Sequence, residues 1–250
     1  MTKDFSLEGK TILITGASNG IGKATAILAA ELGAKLIVTG RDTERLTALH
    51  DSLVGEGHQM QVGDLTVEDD LNKLVEQIDK LDGVVHSAGI VKPLPIQFLT
   101  KAKIEEVAGI NFYVPVELNR LLFKKKKINR AASFVFISSI SSQHPFKGGA
   151  IYSSFKAALE TYSKSIAIEM AHKKIRSNCI KAGLVETNIM EVTANAASRA
   201  SLEAHEKQYP LGFGQAIDVA NATVFLLSHA ARWITGTNLV LDGGLTISKQ

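Results

Sequence analysis

Residues 11–22 read Thr11-Ile12-Leu13-Ile14-Thr15-Gly16-Ala17-Ser18-Asn19-Gly20-Ile21-Gly22. The first five are aliphatic or β-branched without polar alternation, which predicts a strand covered on both faces. Glycines at 16, 20 and 22 then open into a helical stretch. The spacing is G-x3-G-x-G, and each glycine has a distinct use. Gly16 permits a tight turn, Gly20 lets a pyrophosphate approach the backbone, and Gly22 lets helix and strand pack closely. The helix start presents free N–H groups and the positive end of its dipole to such phosphates. A glycine-rich turn that binds nothing is the plain alternative, and its position after the first strand disfavours it.

The same alternation continues outward from this unit. Strands are predicted over 11–15, 35–39, 59–62, 83–87, 133–138, 175–180 and 238–241, and helices over 21–32, 43–53, 67–78, 101–127, 151–172 and 217–228. Repeated β-α alternation predicts an α/β fold, a Rossmann-like doubly wound parallel sheet with helices on both faces. No Pro/Ser/Gly-rich linker or internal repeat interrupts it, so residues 1–250 read as a single domain. Residues 189–208 break the rhythm before Tyr209-Pro210-Leu211-Gly212, and a lid and a plain surface helix pair fit equally well.

Composition narrows the class. Hydrophobic residues make up 45% and charged residues 21%, as in a globular protein with a filled core. The net charge of +3 is too small to argue for nucleic acid, and a lysine run alone is a poor basis for it. One cysteine, Cys179, excludes an intrachain disulfide and fits a reducing compartment. Its apolar surroundings predict a buried, inert thiol. Met1 to Lys10 lacks the layout of a secretory signal, and no apolar run approaches the ~20 residues that span a bilayer. A soluble, cytoplasmic protein with no membrane partner is expected.

Tyr152 and Lys156 stand four residues apart, one helical turn, on a shared face. An ammonium beside a phenol lowers its pKa. A shift of about three units from ~10 corresponds to roughly 4 kcal/mol of preference for the phenolate. Ser139 lies upstream. Alone, such a Tyr/Lys pair is most often surface decoration. The end of the second strand carries Gly40 and Arg41 where a site for an unphosphorylated ribose has a carboxylate. A 2′-phosphate meets no repulsion there and can pair with Arg41, while Asp42 either neutralises that arginine or starts the next helix. NADP(H) is therefore predicted over NAD(H).

Taken together, the chain resembles the classical short-chain dehydrogenase/reductase family from roughly Leu7 to Thr246. The resemblance rests on Thr15 to Gly22, Asp64, Ser87-Ala88-Gly89, Asn111, Ser139, Tyr152, Lys156, Gly183 to Thr187, Ile234-Thr235-Gly236 and Asp242-Gly243-Gly244. It implies that Tyr152 is the general acid/base, that Ser139 hydrogen-bonds the same carbonyl oxygen, and that Lys156 holds the nicotinamide ribose. Asn111 would anchor a water in the proton path. Asp64 would receive the adenine amino group, and Val185 and Thr187 the carboxamide. Gly16, Ser18, Asn19, Gly20, Ile21, Gly22, Arg41, Leu65, Ser87, Ala88, Gly89 and Gly183 complete the cofactor set, and no metal is implied. The chemical logic is independent of family: charge develops on one oxygen, so two donors should point there.

Three positions depart from the family pattern. Ser87 replaces asparagine in the turn after the fourth strand and follows His86, so a strand contact is expected to weaken. Ala182 replaces proline before Gly183, which frees φ in that loop. Asn19 stands where NADP-preferring relatives often carry a basic residue.

The substrate is narrowed to a carbonyl or secondary alcohol. The resemblance is greatest to 3-oxoacyl-(acyl-carrier-protein) reductases, which implies an acyl-thioester substrate. A reductase for a free small ketone, sugar or steroid is the alternative, and a non-catalytic NADP-binding protein is a weaker one. Lys124 to Lys127 with Arg130, and His172 to Lys174, form two basic helix ends. They are expected beside the cleft, where they would dock an acidic acyl carrier protein, although cations at helix C-termini also simply offset the dipole. Family resemblance implies a homotetramer.

Overall fold

The computed structural model describes residues 3–187 and 199–248. Its strands are β1 (Thr11–Thr15), β2 (Lys35–Gly40), β3 (Gln59–Val62), β4 (Leu81–His86), β5 (Ile128–Ser139), β6 (Arg176–Ala182), β7 (Val185–Glu186), β8 (Gly214–Gln215) and β9 (Asn238–Leu241). Seven form one sheet in the order β3-β2-β1-β4-β5-β6-β9. Every pairing in it is parallel. The helices are α1 (Gly20–Glu31), α2 (Thr43–Ser52), α3 (Glu68–Gln77), α4 (Lys101–Ala108), α5 (Val114–Lys124), α6 (Ala150–Glu169), α7 (Arg199–Glu206), α8 (Ala216–Leu227) and α9 (Leu245–Ser248).

The unbroken apolar runs of the strands are explained by two cores, one on each face of the sheet. Ile12, Ile14, Leu36, Val38, Val85 and Ile180 pack with Ala26, Leu46, Val219 and Val224 of α1, α2 and α8. Leu13, Ile37, Val84, Phe134, Phe136 and Cys179 pack with Leu74, Leu118, Leu159 and Ile166 of α3, α5 and α6. Successive residues of one strand therefore feed opposite cores. Cys179 is fully buried, and burial pushes its thiol up to about 12. Among the described residues no helix is long and apolar enough to cross a membrane.

The helix expected over 101–127 is broken. A π-helical turn, Gly109–Tyr113, separates α4 from α5. Two local causes are visible. The Asn111 side-chain amide donates to the carbonyls of Val107 at 2.9 Å and Ile90 at 3.0 Å, competing with the backbone ladder. Pro115 lacks the N–H that would close the ladder onto residue 111. Strand β5 begins earlier than its apolar run. Asn129 holds that polar start by donating to Asp82 at 2.8 Å, and a register shift follows between Leu81 and Gly83. The β7/β8 ribbon is too short for periodicity to reveal. Of the segment 189–208, residues 189–198 lie outside the described residues and α7 follows them.

Strand order reverses between β1 and β4, which opens a crevice at their carboxyl ends. The turn after β1 is packed to backbone contact. A Cβ on Gly22 would lie 2.3 Å from the Gly16 carbonyl oxygen, and one on Gly16 would lie 2.7 Å from Ala88 Cα. Gly16 also has φ +66°, in the left-handed region. Gly22→Ala is expected to destabilise the protein by about 1–3 kcal/mol and lower its melting temperature by several degrees. An unchanged thermal melt by circular dichroism would mean that the turn yields without cost.

Candidate active site

A cleft of about 800 Å³ lies over the carboxyl ends of β1, β2, β4, β5 and β6. It is lined by Asn111, Ser139, Tyr152 and Lys156 together with Gly16, Ser18, Asn19, Gly20, Ile21, Arg41, Asp64, Leu65, Ser87, Ala88, Gly89, Gly183, Val185 and Thr187. Of the residues expected at the site only Gly22 does not face it, and its part is the packing against Gly16.

At one end the α1 N-terminus faces the cleft. Asn19 caps it, its side-chain oxygen accepting from the Gly20 N–H at 2.7 Å. Capping is thus the structural use of the polar side chain at this position. The turn after β4 is held by Thr15, whose hydroxyl oxygen accepts from the N–H of Ser87 at 3.2 Å and of Ala88 at 3.3 Å. The serine substitution therefore leaves the turn anchored. The loop after β6 is anchored too, despite the missing proline. Gly183 N–H donates to Leu241 at 2.8 Å, and Leu184 N–H donates to the Tyr209 hydroxyl at 3.0 Å.

Asp42 caps α2 by accepting from the Arg45 N–H at 3.0 Å, and it pairs with the Arg45 guanidinium at 3.2 Å. It is thus a helix start, and Arg41 pairs instead with Asp64 at 3.7 Å. Burial works against the Asp64 charge, but bonds from the Thr66 hydroxyl and N–H and the nearby Arg41 hold its carboxyl below the ordinary range. Arg45 also lines the cleft and was missed in the sequence, although its four-residue spacing from Arg41 was the available signal.

At the other end Tyr152 and Lys156 project from α6 toward Ser139 at the tip of β5. Lys156 is 5% exposed and donates to the Ile137 carbonyl at 2.7 Å. Its Nζ lies 5.5 Å from the centroid of the Tyr152 ring. Ser139 Oγ accepts from the Ser141 N–H at 3.1 Å and from the Ser141 hydroxyl at 2.9 Å, and it faces the Tyr152 hydroxyl. Burial pushes the phenol up to about 12, opposed by the Ser139 hydroxyl. Burial also pushes Lys156 down to about 8, opposed by Cys179 and Glu160. The expected lowering of the phenol by the ammonium is therefore not found: desolvation dominates, and the lysine is committed to a backbone carbonyl. Asn111 Oδ1 is buried without a partner, and a Cβ on Gly89 would stand 2.8 Å from it and 3.6 Å from Lys156 Nζ.

The family model described as Enoyl-(Acyl carrier protein) reductase matches residues 16–246. The chain belongs to the short-chain dehydrogenase/reductase family. The 3-oxoacyl-(acyl-carrier-protein) reductase FabG of Rickettsia bellii is 35% identical over 242 residues, 96% of this chain and 98% of that protein. Two solved structures give the same fold. A short-chain dehydrogenase/reductase of Brucella melitensis, described as a glucose/ribitol dehydrogenase, is 28% identical with a TM-score of 0.90, covering 97% of this chain and 98% of that one. A candidate NAD(P)-dependent gluconate 5-dehydrogenase of Beutenbergia cavernae, with NADP bound at low occupancy, is 26% identical with a TM-score of 0.88, covering 98% and 99%. This short-chain dehydrogenase/reductase is thus an oxidoreductase of a family that uses NAD(P).

One expectation fails on topology. Lys124 to Lys127 close α5 and lead into the amino end of β5, and His172 to Lys174 lead into the amino end of β6. The cleft lies at the carboxyl ends, across a strand running from Ile128 to Ser139, roughly 35 Å at 3.3 Å per residue. The basic cluster is therefore on the far edge of the sheet. There Lys80, Lys126, Arg130 and Lys173 line a separate depression of about 210 Å³.

His86, beside the cleft turn, is fully buried, stacked on Phe136 at 4.6 Å and bonded through Nε2 to Asn119 Oδ1 at 2.9 Å. Burial pushes it down to about 4, against the Asn119 bond. The unfolded chain then binds the extra proton first, so the stabilising contribution is complete above pH 6.5 and is lost as pH falls toward 4. Wild type should lose about 3 kcal/mol across that window. Denaturant titrations of His86→Phe should give a flatter dependence over the same range; parallel curves would remove His86 as its source.

Proposed function

We propose that the protein is an NADP(H)-dependent oxidoreductase that interconverts a ketone and a secondary alcohol, with a 3-oxoacyl thioester as the first substrate to test. The observation that carries this reading is the convergence of Ser139, Tyr152, Lys156 and Asn111 in the cleft that the glycine turn also faces. The residues present fit a dinucleotide. A Cβ on Gly16 would meet the Ala88 backbone at 2.7 Å, one on Gly89 the Asn111 Oδ1 at 2.8 Å and one on Gly20 would crowd Thr187 at 3.1 Å, and the α1 N-terminus offers its dipole to a pyrophosphate. When bound, the nicotinamide supplies or accepts the hydride.

The chain's own groups supply the rest. The Tyr152 hydroxyl gives its proton to the carbonyl oxygen, and the Ser139 hydroxyl donates a hydrogen bond to the same atom, so the developing alkoxide has two donors. A phenol held near 12 stays protonated at neutral pH and is ready to act as the acid in the reducing direction. The unpartnered Asn111 Oδ1 is suited to hold a water near Lys156, through which the tyrosine regains its proton. Arg41 and Arg45 supply two guanidinium groups for a 2′-phosphate, and Asp64 an acceptor for the adenine amino group. Around the reacting end, Ile90, Val91, Ile140, Phe146, Leu184 and Leu245 form an apolar wall suited to an acyl chain. That wall favours acyl thioesters and apolar ketones over sugar acids. The single buried thiol is consistent with work in the reducing cytoplasm.

Purified protein should oxidise NADPH with short 3-oxoacyl thioesters or apolar ketones. Tyr152→Phe should cut turnover at least ~100-fold and leave NADPH binding intact. Arg41→Ala should raise the Michaelis constant for NADPH by about 10-fold or more and spare NADH. Wild type that binds NADPH yet reduces none of these compounds, and no sugar or steroid carbonyl either, would favour the non-catalytic reading instead.

The carrier-bound form of the substrate requires an assembly. Ile168 on α6 and Tyr113 before α5 are 78% and 57% exposed, which supports pairing of these helices across two-fold axes in a homotetramer. Helices related in that way run antiparallel, so the basic ends of α5 and α6 in one copy would meet the cleft of the next. An acidic acyl carrier protein would find its partner charges there. Replacing Lys125, Lys126 and Arg130 with alanine should raise the Michaelis constant for a carrier-bound substrate and spare a short thioester. Equal effects on both, or a monomeric mass by light scattering, would reject this arrangement.

A further inference from the structure

Glu160 lies one turn beyond Lys156 on α6 and is 6% exposed. It does not line the cleft. Its Oε1 accepts from the Ser138 hydroxyl at 2.7 Å, and its Oε2 accepts from the Asn238 side-chain amide at 2.8 Å. The Ser138 hydroxyl oxygen also stands 3.3 Å from the Lys156 carbonyl oxygen. One carboxylate thus ties α6 to β5 and β9 directly behind Ser139 and Lys156.

A neutral amide would serve as a brace with less desolvation, so the charge itself needs a reason. The reason is the buried Lys156, whose Nζ donates to the Ile137 carbonyl. The groups facing this region are few. Lys156 and Glu160 come from α6, Cys179 from β6, and Lys164 acts on that thiol from one turn further along α6. From β5 and β9 come the neutral Ser138 and Asn238. Cys179 remains a thiol near neutral pH, so Glu160 is the carboxylate whose field reaches Lys156.

We infer that Glu160 is a positioning residue of this site, bracing α6 against β5 and β9 and supplying the buried counter-charge that keeps Lys156 an ammonium. The inference rests on the carbonyl-reductase reading for its catalytic consequence, but its electrostatic core does not. Removing a buried negative charge makes protonation harder for the amine beside it, so the apparent pKa of Lys156 must fall. At a separation of one helical turn the expected displacement is about half to one pH unit.

The test is the pH dependence of kcat/KM and, separately, of NADPH affinity read by nicotinamide fluorescence, in wild type and Glu160→Gln. Gln keeps the shape and loses the charge. Both profiles should move to lower pH by that amount, and Glu160→Asp should restore the wild-type position. Asn238→Ala removes one bond to the carboxylate but keeps its charge, so it should lower the melting temperature and leave the profiles in place. Glu160→Leu, which needs no polar partner, is the second neutral variant should Gln not fold. A neutral variant whose profiles superimpose on wild type overturns the inference. If wild type reduces nothing, the functional reading fails alone, because the binding profile still reports the charge on Lys156.

Discussion

Lys156 donates from the interior to the Ile137 carbonyl, and most of the reactive end is arranged around that contact. A buried ammonium is tolerated only where donors are satisfied and an opposite charge is close. Ile137 provides the acceptor because β5 runs on past the helices to Ser139, placing its last carbonyls under α6. Glu160 provides the opposite charge from the next turn of the same helix. Gly89 has to be bare, since a side chain there would press on Asn111 Oδ1 at 2.8 Å, in the space beside Lys156 Nζ. One lysine therefore constrains a strand, a helix register and a turn.

The sheet order joins that end to the cofactor end. Reversal between β1 and β4 brings the Gly16 turn against Ala88, and Thr15 fastens the two by accepting from the N–H groups of Ser87 and Ala88 after β4. From there the cleft runs one way to Arg41 and Arg45 beyond β2 and the other way to Ser139 beyond β5. The two ends belong to different cores, on opposite faces of the sheet, and meet only where the strands stop.

What the sequence disclosed and what it hid divide along a physical line. Gly16, Gly20 and Gly22 were legible because their use is local: a turn and a helix start within twelve residues. The Tyr152/Lys156 pair was legible because helical spacing alone sets it on one face. The anchoring bonds of Thr15 and Glu160 were not, since each acts on groups brought near by strand pairing or helix docking. The π turn was hidden because Asn111 and Pro115 look like ordinary interruptions until the Ile90 carbonyl is in place. The basic helix ends were misplaced for a reason that could have been read. In a parallel sheet every helix that follows a strand's carboxyl end returns to the next strand's amino end, so a helix C-terminus is always far from the crevice.

The direction of the tyrosine shift carries the deepest lesson about this site. Burial acts on Tyr152 and Lys156 at once and drives both toward their neutral forms, up to about 12 and down to about 8. Their ordinary values differ by little, so desolvation inverts their order and makes the neutral lysine compatible with a neutral phenol. Two groups oppose that drift: Ser139, whose hydroxyl favours the phenolate, and Glu160, whose negative charge favours the ammonium form of Lys156. Proton transfer in this pocket is therefore a property of the coupled set, and assigning a single pKa to the tyrosine would misstate what titrates.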